Sequence, residues 1–114
     1  MATTKNEWWV KQNDELGFIT EQLLDEYGNP YPLTDATSVT FSMRRPTDAT
    51  AKVSAAATII TPSAGIVRYA WATDDTDVAG DFQQEWEVMF TGPLGPLTFP
   101  NDGYNIVHVL KELA

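Results

Sequence analysis

The chain has no cysteine. A disulfide framework, a thiolate metal site and a cysteine nucleophile are excluded together. Histidine is nearly as scarce, since His108 is the only one. A His-rich metal centre cannot be built, and a Ser-His-Asp arrangement would have to use that single residue. Positive charge is also short: seven Lys and Arg stand against sixteen Asp and Glu, a formal net charge of −9. So acidic a chain repels phosphate backbones and anionic lipid, and neither nucleic acid nor a membrane surface is expected as a partner. No apolar run approaches the ~18 residues of a membrane span. The segment from Met1 to Trp9 lacks the apolar core and small-residue cleavage site of a secretory signal. The expectation is a protein folded in a cytoplasm and not secreted. There is no Gly-rich phosphate loop, metal-ligand spacing or nucleophile elbow. No enzymatic activity, cofactor or small-molecule substrate is expected.

Apolar residues are present in quantity. The hydrophobic fraction is 43% and the aromatic fraction 11% of 114 residues. That is too apolar for a disordered chain, and the length suits one domain able to bury roughly 65% of its unfolded surface. One domain over residues 1–114 is expected, with residues 1–7 as a flexible arm.

Turn signals recur along it: Tyr27-Gly-Asn-Pro30, Arg45-Pro-Thr-Asp48, Pro62-Ser-Ala-Gly65, Asp74 to Gly80, Gly92-Pro-Leu-Gly-Pro96 and Asn101-Asp-Gly103. Gly supplies positive φ and Pro fixes it, so each cluster punctuates the chain. The runs between them alternate with period two. Val39, Phe41 and Met43 oppose Thr40, Ser42 and Arg44. Val67, Tyr69 and Trp71 oppose Ile66, Arg68 and Ala70. Phe82, Gln84, Trp86, Val88 and Phe90 oppose Gln83, Glu85, Glu87 and Met89. A helix would carry these charges round to its core side, so strands are predicted. The spacing predicts an all-β sandwich of about seven to nine short antiparallel strands, with Phe41, Trp71, Trp86, Val88 and Phe90 in the core.

Two stretches are open at this level. Ala49 to Ala57 is rich in Ala, a poor strand former, and reads as an edge, a place of close approach or a helical turn. Tyr104 to Leu113 reads as a strand covered on both faces for part of its length, or one ending in a helical turn at Leu110 to Leu113.

Few side chains suggest chemistry. Asp74, Asp75 and Asp77 are the one weak candidate for a hard cation, but they lack the Gly and trailing Glu of an EF-hand. An acidic turn explains them as well. Glu85 and Glu87 could form a glycosidase pair, yet they are simply the wet face of their strand. Trp8 and Trp9 are more informative. Neighbours on a strand face opposite ways, so one is left for a sheet edge or a partner. Arg44 and Arg45, two of the few cations, stand ready for carboxylates of this chain or of another copy. Pro93, Leu94 and Pro96 lie in a restrained Gly-Pro loop suited to contact. The expected protein interface is therefore Trp8, Trp9, Arg44, Arg45, Pro93, Leu94 and Pro96.

The ordered set Lys11-Gln-Asn-Asp14, Leu24-Asp-Glu-Tyr-Gly28-Asn-Pro30, Leu33-Thr-Asp-Ala36-Thr-Ser-Val39-Thr-Phe41-Ser-Met43-Arg44, Gly65-Ile-Val-Arg-Tyr69-Ala-Trp71, Asp75-Thr-Asp77-Val-Ala-Gly80-Asp-Phe82, Glu85-Trp-Glu-Val88 and Thr98-Phe-Pro100 runs over nearly the whole chain. It resembles the N-terminal domain of phage baseplate upper proteins and the stand-alone phage structural proteins of the same type. The resemblance implies an immunoglobulin-like β-sandwich serving as a non-enzymatic virion building block. Its implied partners are other virion structural proteins and copies of itself. Phe82 stands where many such sandwiches carry a corner Tyr. Baseplate upper proteins continue into a stem, so a chain ending at Ala114 is expected to act as an adaptor, connector or ring component. A capsid decoration protein is the alternative. A carbohydrate-binding sandwich, with Trp8, Trp9 or Trp71 as platforms, is the alternative from another class.

Overall fold

The computed structural model describes residues 4–113. Strict alternation sets the longest strand. From Gly80 to Phe90 every second side chain, Phe82, Gln84, Trp86 and Val88, is buried, and Glu85, Glu87 and Met89 are exposed. In chain order the strands are β1 (Thr4–Lys11), β2 (Phe18–Gln22), β3 (Ala36–Arg44), β4 (Val53–Thr61), β5 (Ile66–Ala70), β6 (Gly80–Phe90), β7 (Leu97–Phe99) and β8 (Tyr104–Leu110). Single 3-10 turns at Pro62–Ala64 and Gly92–Leu94 follow β4 and β6.

The strands run in the order β1-β8-β6-β3-β4-β5-β2, with β7 paired to β6. The path folds over at β4. Its first half pairs with β3, from Val53 opposite Met43 to Ala57 opposite Val39. Its second half pairs with β5 from Thr58 onward. One layer is thus β1-β8-β6-β3-β4 and the other β4-β5-β2. The Ala-rich segment is a strand that changes sheets, and its Ala55 and Ala57 are half-buried against the core. Where two layers converge there is room only for small side chains, which overrides a weak strand propensity. β3, β6 and β8 hold the places of the C, F and G strands of an immunoglobulin sandwich, and β2, β5 and late β4 those of B, E and D.

One core joins the layers. Phe41 of β3 stacks on Tyr69 of β5 with ring centroids 4.3 Å apart, and Trp71 and Trp86 meet Phe41 edge-on at 5.7 and 5.3 Å. Phe41, Trp86 and Val88 are fully enclosed and Trp71 nearly so. Phe90 is only half-buried, at the rim beside Tyr31.

The expected pairing needs correction. The pairing is not all antiparallel, because β1 and β8 run parallel, with Trp8 opposite Val107 and Trp9 opposite His108. No hairpin links the first and last strands, so no tight turn dictates their relative direction. Of the two readings of the last run, the strand covered on both faces holds and the helical turn does not: β8 alternates buried and half-buried side chains as far as Val109, and residues 111–113 have no regular structure. As for the N-terminal arm, β1 begins at Thr4, and residues 1–3 lie outside the described set.

Candidate functional site

β1 is an edge strand, and among the described residues only β8 pairs with it. The Gln12 amide donates to the Leu110 carbonyl at 2.7 Å, and the Asn6 amide turns the same way, to Asn105 Oδ1 at 3.1 Å. Backbone groups alternate along a strand, so those of Trp8 and Val10 face β8. The amides of Glu7, Trp9 and Lys11 and the carbonyls of Glu7 and Trp9 then form the open edge. The same alternation separates the two Trp side chains. Trp8 is half-buried against the core, and Trp9 is 63% exposed on the outer face.

Trp9 is held in place. Its ring stacks on His108 at 5.0 Å, 18° from parallel. His108 Nε2 is 2.7 Å from Glu7 Oε1, and Nδ1 is 2.7 Å from Asp81 Oδ1. A carboxylate at each ring nitrogen favours the imidazolium, which donates to both. These hydrogen bonds, to Glu7 first and then Asp81, hold the His108 pKa above its ordinary value. One side chain therefore ties β1, β8 and β6 together on the outer face.

Beneath the edge lies a groove of about 330 Å³, lined by Trp8, Val10, Leu16, Phe18, Ile19 and Trp71 among others. Leu16 is 95% and Phe18 58% exposed, with the Arg68 guanidinium 4.2 Å over the Phe18 ring. Exposed apolar side chains therefore cluster here on an acidic surface, and clusters of this kind mark contacts.

A larger cleft of about 560 Å³ opens at the side, lined by Glu21, Asp25, Glu26 and Asp102 with Leu24 and Phe99. Its innermost carboxylate is already engaged. Glu21 Oε1 accepts from Trp86 Nε1 and Asn105 Nδ2, both at 2.8 Å, and Oε2 accepts from Asn6 Nδ2 at 3.0 Å. Burial raises the Glu21 pKa, against the lowering effect of these three donors. Asn105 also donates to Gln84 Oε1 at 2.8 Å, so the buried polar groups satisfy each other. Asp25 Oδ1 accepts from the amides of Tyr27 and Asn29, which fixes a turn.

The remaining sequence candidates separate. Arg44 is exposed on the outer face, in the row of Gln83, Ile106 and Glu7. Arg45 closes its own turn on Asp48, Nε to Oδ2 at 2.9 Å. Pro93 and Pro96 are exposed in the loop after β6, and the side chain of Leu94 lies outside the described residues. Asp81, level with Trp9, stands nine strand residues from Phe90, so edge and loop are about 30 Å apart. They form two surfaces rather than one. The three loop aspartates do not converge. Asp75 accepts from Tyr69 Oη at 2.5 Å and from the Ala72 amide at 2.8 Å, and Asp77 pairs with Lys52 at 2.5 Å. Among the described residues no three His, Asp or Glu are grouped to hold a metal. Trp71 is 8% exposed, with edge-on contacts to Phe41 and Tyr69, which leaves Trp9 as the open aromatic platform.

The sequence missed Glu7, Asp81 and His108 as a unit, and Glu21 as an inward carboxylate. Phase could have found Glu21, since it lies in register with Ile19 and Leu23, both buried. The His108 clamp joins residues about a hundred positions apart and leaves no local signal. Compared with protein-family models and with curated proteins, the chain matches none.

Proposed function

We propose that this protein is a non-enzymatic assembly module of a phage virion, working in a tail, baseplate or connector by docking to other virion proteins. One observation carries the reading: on a chain of charge −9, Trp9, Leu16 and Phe18 stand exposed around an apolar groove at a sheet edge. Apolar exposure costs solubility, and a cluster of it beside a groove at a sheet edge fits a contact surface. The sequence resemblance to baseplate upper proteins supports the virion setting.

Particles assembled with Leu16→Asp and Phe18→Ser variants provide the test. Both positions are exposed, so both variants should fold. The wild-type chain should co-purify with particles, and the variants should load at least about tenfold less, as expected when an apolar anchor is lost. Wild-type chain missing from purified particles, or variants loading equally, would overturn the reading. Hundreds of copies per particle would place it on the head shell instead.

A further inference from the structure

The open edge of β1 has a charge pattern that is complementary to its own reverse. Its outward side chains are Glu7, Trp9 and Lys11, an anion and a cation equally spaced about an aromatic. A register irregularity between Thr4 and Glu7 interrupts the strand just before this window, so the regular edge is Glu7 to Lys11. From this pattern we propose that two copies of the chain pair antiparallel through β1, with a two-fold axis at Trp9.

In that register Trp9 faces Trp9, and each Glu7 faces the other copy's Lys11. The residues whose backbone groups point outward are the ones brought opposite. Each Trp9 amide donates to the other Trp9 carbonyl. Each Lys11 amide donates to the other Glu7 carbonyl. The Lys11 carbonyl is not required, since it already accepts from the Asp14 amide at 3.1 Å. Four main-chain hydrogen bonds and two cross-strand ion pairs result, a self-complementary contact of the kind a two-fold axis demands. Glu7 can serve both partners, because His108 occupies Oε1 and Oε2 is left for Lys11. One face of Trp9 lies on His108, so its other face turns toward the open edge. Across the axis the rings continue as His108-Trp9-Trp9-His108. The two layers become one continuous sheet across the seam, and the grooves beneath, with Leu16 and Phe18, meet under it.

Charge selects this occupant. A parallel copy would set Glu7 against Glu7 and Lys11 against Lys11. An unrelated strand has no reason to match the Glu-Trp-Lys spacing. The contact is short, so the dimer should be weak and concentration-dependent. The inference stands on the β1 edge alone and can fail while the virion reading holds.

Sedimentation equilibrium up to about millimolar chain should show reversible dimers. Lys11→Glu and Glu7→Lys should each weaken association by about tenfold, because each variant puts like charges opposite in its own homodimer. Mixing the two should restore it. In the mixed dimer the introduced lysine of one chain faces the introduced glutamate of the other, and the native Glu7 and Lys11 still face each other. Amides of Trp9 and Lys11 should exchange more slowly as concentration rises. A chain that stays monomeric throughout overturns the proposal. So does a dimer indifferent to Lys11→Glu, or a mixture no tighter than its components. If Glu7→Lys fails to fold through loss of the His108 contact, Lys11→Glu and amide exchange still decide the matter.

Discussion

Two ionisable side chains set how stability should respond to pH. His108 has its pKa raised by its hydrogen bonds to Glu7 and Asp81. A raised pKa means the folded state binds the proton more tightly, so the stabilisation is complete below the unfolded value of about 6.5 and fades as pH climbs through the folded pKa. Deprotonation would also leave Glu7 and Asp81 near a neutral ring that can donate to only one of them. NMR titration of the imidazole should give a midpoint above 6.5, and Asp81→Asn should lower it. Glu21 is also raised, but by burial. Its neutral form suits the fold, and the benefit fades as pH rises through a folded pKa above the ordinary 4.5. Glu21→Gln keeps an oxygen for Trp86 and Asn105, and the exposed Asn6 amide can turn to accept from the new donor. Its melting temperature at pH 7 should equal or exceed wild type. Glu21→Leu orphans the Trp86 indole N–H and should cost about 1–3 kcal/mol. Urea denaturation of the two variants at pH 7 separates these outcomes.

Between elements, the tightest joint follows β4. Gly65 ends the 3-10 turn with φ at 70°, and its carbonyl accepts from the Leu23 amide at 2.8 Å. A Cβ there would stand 2.5 Å from the Tyr31 carbonyl oxygen and 2.9 Å from that of Leu23. Both neighbours are backbone and cannot swing aside. Gly65→Ala should therefore cost at least about 2 kcal/mol, read from a lower denaturant midpoint at unchanged slope. The turn itself was legible, because Pro62-Ser-Ala-Gly65 carries its own chemistry. So were β3, β5 and β6, whose alternation put Phe41, Tyr69, Trp71 and Trp86 inside. Phe90 followed the phase but sits at the rim, since alternation fixes a face and not a depth. β4 was obscured because Ala55 and Ala57 answer to the space between layers, a tertiary demand. The parallel partnership of β1 with β8 was hidden for a similar reason: it joins chain ends, and neither segment encodes direction. For the candidate site, one Trp facing outward was readable from Trp8-Trp9. The stack on His108 and the groove with Leu16 and Phe18 came only with the fold.

At the scale of the molecule, the −9 charge opposes the contact that β1 invites. Two like-charged bodies repel over a Debye length, about 30 Å at 0.01 M salt and about 8 Å at 0.15 M. The longest dimension of this chain is 48 Å, so at low salt much of each copy's charge acts on the other. At physiological salt only the charges nearest the seam remain effective, and there Glu7 faces Lys11. The exposed ion pairs also weaken with salt, but surface pairs contribute at most about 1 kcal/mol each. The long-range repulsion should dominate the trend. Dimerisation should therefore strengthen as sodium chloride rises from about 0.01 to 0.15 M, the reverse of an association driven by opposite net charges. Sedimentation equilibrium at the two salt concentrations checks the sign. Weaker association at the higher salt would mean that the two Glu7–Lys11 pairs outweigh the remaining charge of both copies.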